Sequence, residues 1–350
     1  MNRFCFAKMP TIVSAFFVLL LSACSKSQPE VIRIQGTTMG TTWSALIMPL
    51  ADDEAALPDQ ATLKAELDTV LKTVNDQMST WQQDSELSRF NRYQQTDWFP
   101  VSAQLAEVTQ AALEVSELSA GVYDVTVGPL VNLWGFGAGK AEGEPEVPPQ
   151  AAIDTALLNV GYKKLAVRLE PPALRKDPAG LYVDLSSIAK GYGVDQLAEH
   201  LQQLGATDYM VEIGGEIRTR GHSPRGDEWR IAIEKPVDLG RSVQQGLKLK
   251  NGSLATSGDY RNYFSAGGQR YSHTLDPASG YPVMHSLASV SVMAENTMLA
   301  DAYATMLMAM GEVKGCKFVL EQGIDAYFIW RTDHGFETFA TDGFQQALIQ

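Results

Sequence analysis

Apolar positions recur at helical spacing in two segments of the N-terminal third of the chain. Leucines and valines three or four residues apart predict one helix over residues 62–78 and another over residues 103–119. Residues 31–34 and 42–48 predict strands on either side of the turn-forming sequence QGTTMGT. This part of the chain therefore combines helices with a strand pair.

The central part of the chain shows alternation first and helical spacing second. Residues 180–187 alternate apolar and polar positions and predict a strand. The helix that follows buries residues such as Val194 and Leu201, and Ser186 or Ser187 is the expected N-cap.

Most of the remaining pattern predicts strands joined by short turns. YMVEIGGEIRTRG predicts a hairpin that turns at Gly214 and Gly215, and WRIAIEKP, GLKLKNGSLATSG and SLASVSVMA predict further strands. KFVLEQGIDAYFIWR predicts a helix end followed by a strand, whereas residues 138–150 predict a mobile surface loop. The prediction is an α+β fold of largely antiparallel sheets with packed helices, as one large domain or two lobes.

The segment ADAYATMLMAM, residues 300–310, predicts a helix that is apolar on almost every side. Asp301 and Thr305 lie four residues apart and share one face of it. A bare buried carboxylate costs several kcal/mol, so Asp301 needs a partner. An ion pair with Lys or Arg, or a thin exposed stripe, is the commoner solution; a bound metal is the alternative.

The N-terminus predicts export and lipid attachment. Arg3 and Lys8 precede an apolar run at residues 11–21 that is too short to span a membrane as a mature helix. The L-S-A-C box that ends at Cys24 resembles bacterial lipoprotein processing sites, although an ordinary secretory signal is the alternative. The predicted organisation is a signal peptide over residues 1–23, a lipid-anchored tether over 24–30 and a folded domain over 31–350.

Cysteine content and charge limit the possible functions. With Cys5 in the signal and Cys24 lipidated, Cys316 has no disulfide partner, and we expect it to pack as a small apolar residue. The net charge of −13 argues against general attraction to nucleic acid or to an anionic membrane surface. An anionic ligand would have to be met locally by backbone N–H groups, a few basic side chains or a divalent cation.

Four stretches contain the residues best suited to chemistry, and each also has a purely structural interpretation. GTTMGTTW is also a plausible turn, and in MSTWQQDSELSRFN either Asp84 or Ser85 can cap a helix. In DLSSIAKGYGVD an Asp184–Lys190 pair is possible, and in SHTLDPASGYP a lone His273 is most often a core residue. Taken singly, these stretches favour the structural interpretation.

Taken together, the stretches resemble one family. GTTMGTT, MSTWQQDSELSRFN, YDVTVGPLVNLWGFG, VDLSSIAKGYGVD, IGGEIRTRG, SHTLDPASGYP and ADAYAT occur in the order found in the ApbE-type FAD:protein FMN transferases, formerly labelled thiamine-biosynthesis lipoproteins. The resemblance covers nearly the whole mature chain. It implies an ApbE-like, T-fold-like architecture and a periplasmic enzyme that transfers FMN from FAD to a Ser or Thr hydroxyl of another protein and releases AMP.

The resemblance also implies a site. Magnesium would be held by the carbonyl of Ser187 with Asp301 and Thr305, and Lys190 and His273 would be catalytic, His273 as the candidate base. The positions that match FAD-contacting positions of the family are Met39, Trp81, Val122, Tyr123, Asp124, Asp184, Lys190, His273 and Leu275.

Partners and location follow from the same resemblance. The implied acceptors are subunits of sodium-pumping NADH:quinone reductase or of Rnf complexes, or other exported flavoproteins, and no nucleic acid is expected. That role favours the inner membrane, whereas Ser25 after Cys24 favours sorting to the outer membrane. Two alternatives remain at this point: an FAD pyrophosphatase that releases FMN and AMP, and a lipid-anchored protein that binds FAD without chemistry.

Overall fold

A computed structural model describes residues 31–49, 57–138, 146–237, 240, 242–260 and 263–349. The predicted signal peptide, Cys24 and the tether lie outside these residues, as does most of the predicted loop at 138–150. In the described ranges, we find no helix with the length and apolar character needed to cross a membrane.

Helices and strands alternate irregularly along the chain. The helices are α1 (Gln60–Met78), α2 (Glu86–Arg92), α3 (Ala103–Leu118), α4 (Gly128–Leu133), α5 (Gln150–Leu157), α6 (Ala189–Gln203), α7 (Thr297–Gln322) and α8 (Asp342–Ala347). The strands are β1 (Ile32–Thr38), β2 (Thr41–Ile47), β3 (Phe99–Pro100), β4 (Leu165–Leu169), β5 (Pro172–Lys176), β6 (Tyr209–Ile213), β7 (Glu216–Arg220), β8 (Trp229–Glu234), β9 (Val243–Leu249), β10 (Gly252–Gly258), β11 (Tyr263–Ala266), β12 (Gln269–Ser272), β13 (Leu287–Ala294), β14 (Asp325–Thr332) and β15 (Gly335–Ala340).

Eight of these strands form one large sheet in the order β1-β2-β6-β7-β10-β13-β14-β15. Each neighbouring pair in the sheet is antiparallel. The smaller sheets join β3, β5 and β4, β8 with β9, and β11 with β12, also in antiparallel pairs. The predicted α+β class with largely antiparallel sheets is therefore confirmed.

The large sheet is covered on both faces. Helices α1, α6 and α7 pack on one face, whereas the β8–β9 hairpin and α8 pack on the other. Strand β14 shows the division, because Ala326 and Phe328 face the helices while Tyr327 and Ile329 face the hairpin. Alternate side chains of such a strand point to opposite faces, so both sets are apolar.

The N-terminal predictions agree closely with the structure for the two helices, whereas β1 runs to Thr38, four residues beyond its predicted end. Helices α1 and α3 differ from the predicted ranges by at most two residues, and Asp59 and Ser102 cap their N-termini. Strands β1 and β2 join through Met39 and Gly40, both at positive φ, which a two-residue hairpin turn of this kind requires. Met39 therefore lies in a backbone conformation that non-glycine residues rarely adopt.

The predicted strand at residues 180–187 is wrong. Its apolar residues Leu181, Val183 and Leu185 are fully buried, but its only ladder contact is an isolated bridge at Tyr182. The Val183 backbone bonds instead to a side chain: its N–H donates to Oδ1 of Asn91, and its carbonyl accepts from Nδ2, both at 2.8 Å. Alternation reported burial correctly but not strand pairing, because a side-chain amide replaces the neighbouring strand.

A buried lysine braces the same segment. Lys176 is 1% exposed, and its Nζ donates to the carbonyls of Asn91 and Leu181 at 2.8 and 3.0 Å. The ammonium lies 5.1 Å from the ring centroid of Phe90. Burial lowers the pKa of Lys176 to about 8, because the charged form is poorly solvated there. Lys176 and Asn91 together fix the chain just before it enters the site.

We predict that Lys176 makes the free energy of unfolding depend on pH in the alkaline range. Its folded pKa of about 8 lies below the unfolded value of 10.5. Between these values the unfolded chain binds a proton that the folded chain does not, so stability rises with pH by up to roughly 3 kcal/mol. Denaturant unfolding between pH 7 and 11 measures this slope. Lys176→Met should remove it, whereas Lys72→Met at an exposed position of α1 should leave it; equal slopes in both variants would refute the assignment.

Candidate functional site

A cavity of about 640 Å³ opens where the N-terminal ends of α6 and α7 meet the edge of the covered sheet. Its walls come from these helices, the β6–β7 turn, the end of β10, the segment around α4 and the β11–β12 hairpin. Of the predicted site residues, the following line it: Trp81, Val122, Tyr123, Asp124, Asp184, Ser187, Lys190, His273, Leu275, Asp301 and Thr305.

Helix α7 approaches α6 closely at a glycine. A Cβ on Gly191 would lie 2.2 Å from the Thr297 carbonyl oxygen and 2.9 Å from Cβ of Asp301, so only glycine fits. One turn along α6, the Asp195 carboxylate accepts the N–H groups of Thr297 and Met298 at 3.0 and 2.8 Å. These contacts fix the start of α7 against α6, and thereby place Asp301 in the cavity.

Asp301, a residue of α7, caps the N-terminus of α6. Its Oδ2 accepts the N–H of Gly191 at 3.0 Å, in the first turn of α6. The prediction that Ser186 or Ser187 caps α6 is therefore wrong: the N-cap position is Ile188, with no side-chain cap of its own. The cap comes from α7, a helix distant in sequence, which sequence pattern alone could not indicate.

The lysine of the site is shared between two buried carboxylates. Nζ of Lys190 lies 2.8 Å from Oε1 of Glu216 and 3.4 Å from Oδ1 of Asp301. Burial alone would lower the pKa of Lys190, but the two carboxylates outweigh burial and raise it, so the ammonium form is kept. Burial, together with the nearby Asp301 charge, raises the pKa of Glu216 to about 7, although Lys190 opposes the change. The expected ion pair of Asp301 with a basic residue is present, with Lys190 as the partner.

Several hydroxyl oxygens border the same space. The Ser187 hydroxyl donates to the phenol oxygen of Tyr123 at 2.9 Å, and the Thr305 and Ser257 hydroxyls lie 3.3 Å apart. Burial raises the pKa of Tyr123 well above its usual range, so its hydroxyl stays protonated. Because the Gly191 N–H is directed to Asp301, it is not the partner of the Ser187 carbonyl four residues earlier.

The two remaining acidic residues of the predicted site differ in how far they are engaged. Asp124 is held by its own loop: Oδ1 accepts both the N–H and the hydroxyl of Thr126, and Oδ2 accepts the N–H of Tyr162. Burial raises the pKa of Asp124 despite these bonds. Asp184 accepts the N–H of Ser186 through Oδ1. Asp124 therefore shapes the loop, whereas Asp184 keeps more capacity for a ligand.

The other predicted ligand contacts lie at different depths. Trp81 is 62% exposed although it lines the cavity, and Leu275 is almost buried. His273 follows β12, with its ring edge-on to Phe136 at 6.3 Å between centroids. Met39, in the β1–β2 turn, does not line the cavity; its side chain packs near Gly193 of α6. The structure thus brings the predicted residues to one cavity, with Met39 as the exception.

The cavity is acidic. Apart from His273, the charged lining groups among the described residues are the carboxylates of Asp124, Asp184, Glu216 and Asp301 and the ammonium of Lys190. Among the described residues, no three His, Cys, Asp or Glu side chains are grouped to hold a metal. The Asp301 carboxylate, the Thr305 hydroxyl and the Ser187 carbonyl are instead hard oxygen donors, the type that magnesium binds while keeping several waters. The donor chemistry therefore fits magnesium.

Sequence reasoning missed three residues that organise this site. Glu216 was assigned only to a hairpin strand, although a glutamate on the same face as Ile213 places a charge in an apolar row. Gly191 and Asp195 lie within DLSSIAKGYGVD, but their partners on α7 are more than a hundred residues away. The position of Glu216 on the apolar face of the hairpin could have been recognised from the sequence. The contacts of Gly191 and Asp195 with α7 could not.

Comparison with known proteins agrees with the motif order. The ApbE family model matches residues 39–328. The FAD:protein FMN transferase of Haemophilus influenzae is 43% identical over 337 residues, which cover 96% of each chain. Among solved structures, the flavin transferase ApbE from Vibrio cholerae has a TM-score of 0.84 at 43% identity over 91% of this chain and all of that one. The apo Pseudomonas stutzeri flavinyl transferase ApbE has a TM-score of 0.82 at 37% identity, covering 91% of this chain and 97% of that one.

The chain belongs to the ApbE family. The ApbE-like fold that the motifs implied is confirmed by these structural relatives. The chain is accordingly an enzyme of the flavin transferase type.

We predict that Gly191→Ala disrupts the helix junction. The added methyl group meets backbone atoms of α7 that cannot turn away, so we expect a loss of about 1–3 kcal/mol of stability, as in overpacked cores. Thermal unfolding and FAD turnover measure the effect. Gly193→Ala is the matched control, because its methyl group meets only the side-chain ends of Ile213 and Met39, and alanine favours a helix. Similar melting temperatures for the two variants would contradict the proposed packing.

Proposed function

We infer that this enzyme transfers the FMN moiety of FAD to a Ser or Thr hydroxyl of an acceptor protein and releases AMP. The observation that carries the inference is the cavity, which gathers Ser187 from the turn before α6, Lys190 from α6, and Asp301 and Thr305 from α7. The transferase names of relatives that match along nearly the whole chain support the same reaction. They also favour it over a lipid-anchored protein that only binds FAD.

We propose that magnesium assists the reaction. A pyrophosphate is an anion, and the described lining of the cavity presents more carboxylates than cations, so added positive charge would offset their repulsion. Asp301, Thr305 and the carbonyl of Ser187 would hold the ion. When bound, it would offset charge that develops on the phosphoryl oxygens.

The residues of the chain have separate roles in the proposed reaction. Lys190 would hold the phosphates by charge, and Trp81 at the rim would stack on a ring of FAD. The acceptor oxygen forms a bond to the FMN phosphorus while the bond to the AMP oxygen breaks. His273 would receive the proton that the acceptor hydroxyl loses. AMP leaves with the electron pair of the broken bond.

The decisive test of the function is a covalent product. We expect co-expression with an exported flavoprotein domain to add one FMN to a single Ser or Thr, detected by intact-mass and peptide mass spectrometry. The purified enzyme with FAD and magnesium, without acceptor, measures hydrolysis separately. Free FMN without any adduct would favour the pyrophosphatase alternative. The absence of both free FMN and the adduct would contradict enzymatic cleavage.

We predict that Asp301→Ala abolishes turnover but weakens FAD binding only modestly. The change removes the only carboxylate of the proposed cation site, and most ligand contacts lie elsewhere. AMP release and flavin fluorescence titration measure the two effects, with thermal melting to verify folding because the α6 cap is also lost. Asp76→Ala on the exposed side of α1 is the control. Full turnover in Asp301→Ala would refute the cation site.

We propose that the mature enzyme works on the periplasmic side of a bacterial membrane, anchored by lipid, including palmitate, on Cys24. The support is the basic, apolar and L-S-A-C order of the first residues. Subunits of sodium-pumping NADH:quinone reductase or Rnf complexes are the proposed acceptors, which favours the inner membrane. Ser25 keeps outer-membrane sorting as the alternative.

A further inference from the structure

Glu216 and Asp301 are the most buried charged groups among the described residues that line the cavity, and stability alone does not account for Glu216. It follows the Gly214-Gly215 turn as the first residue of β7, and it is 2% exposed. Oε1 meets Lys190 at 2.8 Å, but the buried Oε2 has no hydrogen-bond partner in the part of the chain that the structure describes. A buried carboxylate oxygen without a partner is destabilising, and a neutral side chain would reduce that cost.

The geometry around Lys190 shows what the charge of Glu216 does. One ammonium lies between two carboxylates and is closer to Glu216, by 2.8 against 3.4 Å. The Asp301 oxygen that faces Lys190 is therefore only loosely bound, while its other oxygen caps α6. In the absence of Glu216, Lys190 would have Asp301 as its sole anionic partner in this group.

We propose that Glu216 is a positioning residue that takes up the charge of Lys190 and so leaves Asp301 available to a divalent cation. The inference rests on the proposed cation site and names the residue that keeps that site anionic. When both are ionised, Lys190 and Glu216 neutralise each other, so the group of three retains one negative charge, which is formally that of Asp301. Loss of the Glu216 charge makes the group neutral, and Lys190 then competes with the cation for Asp301.

The proposal makes a specific prediction for Glu216→Gln, which keeps the size and an oxygen acceptor. We expect this variant to bind a divalent cation about tenfold more weakly, because Lys190 is no longer held by the Glu216 charge and pairs with Asp301 in competition with the cation. The same substitution should change affinity less than twofold when Lys190 is already Met. Once Lys190 is removed, Glu216 has no competing ammonium to hold, so its substitution should have no further effect on cation affinity.

The experiment titrates Mn²⁺ alone, without FAD, into four full-length proteins and follows free Mn²⁺ by electron paramagnetic resonance. Manganese prefers oxygen ligands as magnesium does. The proteins are the wild type, Glu216→Gln, Lys190→Met and the double variant, with Asp301→Asn to identify the site. Thermal melting verifies that each protein is folded, and Lys190→Gln replaces Lys190→Met if that variant unfolds.

Each outcome has a definite meaning. A tenfold loss in Glu216→Gln that disappears beside Lys190→Met supports the proposal. The same loss in both backgrounds would show that Glu216 acts on the cation directly, by its charge or as a ligand, and not through Lys190. An unchanged affinity would show that Glu216 has no role. Either result overturns the inference while the cation site stands. Wild-type protein that binds no Mn²⁺, or Asp301→Asn that binds it equally well, would refute the cation site and the inference with it.

Discussion

The contact between the Asp301 carboxylate and the first turn of α6 is the interaction on which the site depends. It joins two helices whose starts are more than a hundred residues apart in sequence, and it brings a charged oxygen into an apolar helix pair. Gly191 permits the approach and Asp195 holds the facing end of α7. A carboxylate at a helix N-terminus gains from the unpaired N–H groups and the helix dipole, which offsets part of its desolvation. The architecture of the junction thereby makes a buried charge tolerable.

The same carboxylate reconciles two interpretations that the sequence left as alternatives. Asp301 is paired with a lysine, as structural carboxylates usually are, yet the separation from Lys190 is long and Glu216 holds that lysine more closely. An ion pair in the free enzyme and a proposed cation in the working enzyme are therefore compatible. The acidic lining of the cavity gives this arrangement its purpose, because an anionic substrate would otherwise be repelled.

Local pattern predicted much of the fold, and its failures have identifiable causes. Helices α1 and α3 and the hairpin at Gly214-Gly215 were predictable because their periodicity and turn residues are local. The segment before α6 was taken for a strand because a buried extended chain alternates in the same way, whether a strand or the Asn91 side chain satisfies its backbone. The members of the site were predictable through motif order, whereas their mutual contacts were not. The cap on Gly191 and the pairing of Lys190 with Glu216 depend on tertiary contacts that no single segment specifies.

Helix α7 is interrupted in the middle. Gly311 has φ 76° and ψ 171°, which ends one helical run at Met310 and starts another, and His285 bonds to the Met308 carbonyl beside the break. The run that bears Asp301 and Thr305 is thus a separate helical segment from the run that bears the exposed Val313 and Leu320. We expect substitutions at these two exposed positions to have little effect on the position of the Asp301 and Thr305 oxygens. The interruption therefore separates surface positions that can tolerate substitution from the site, which cannot.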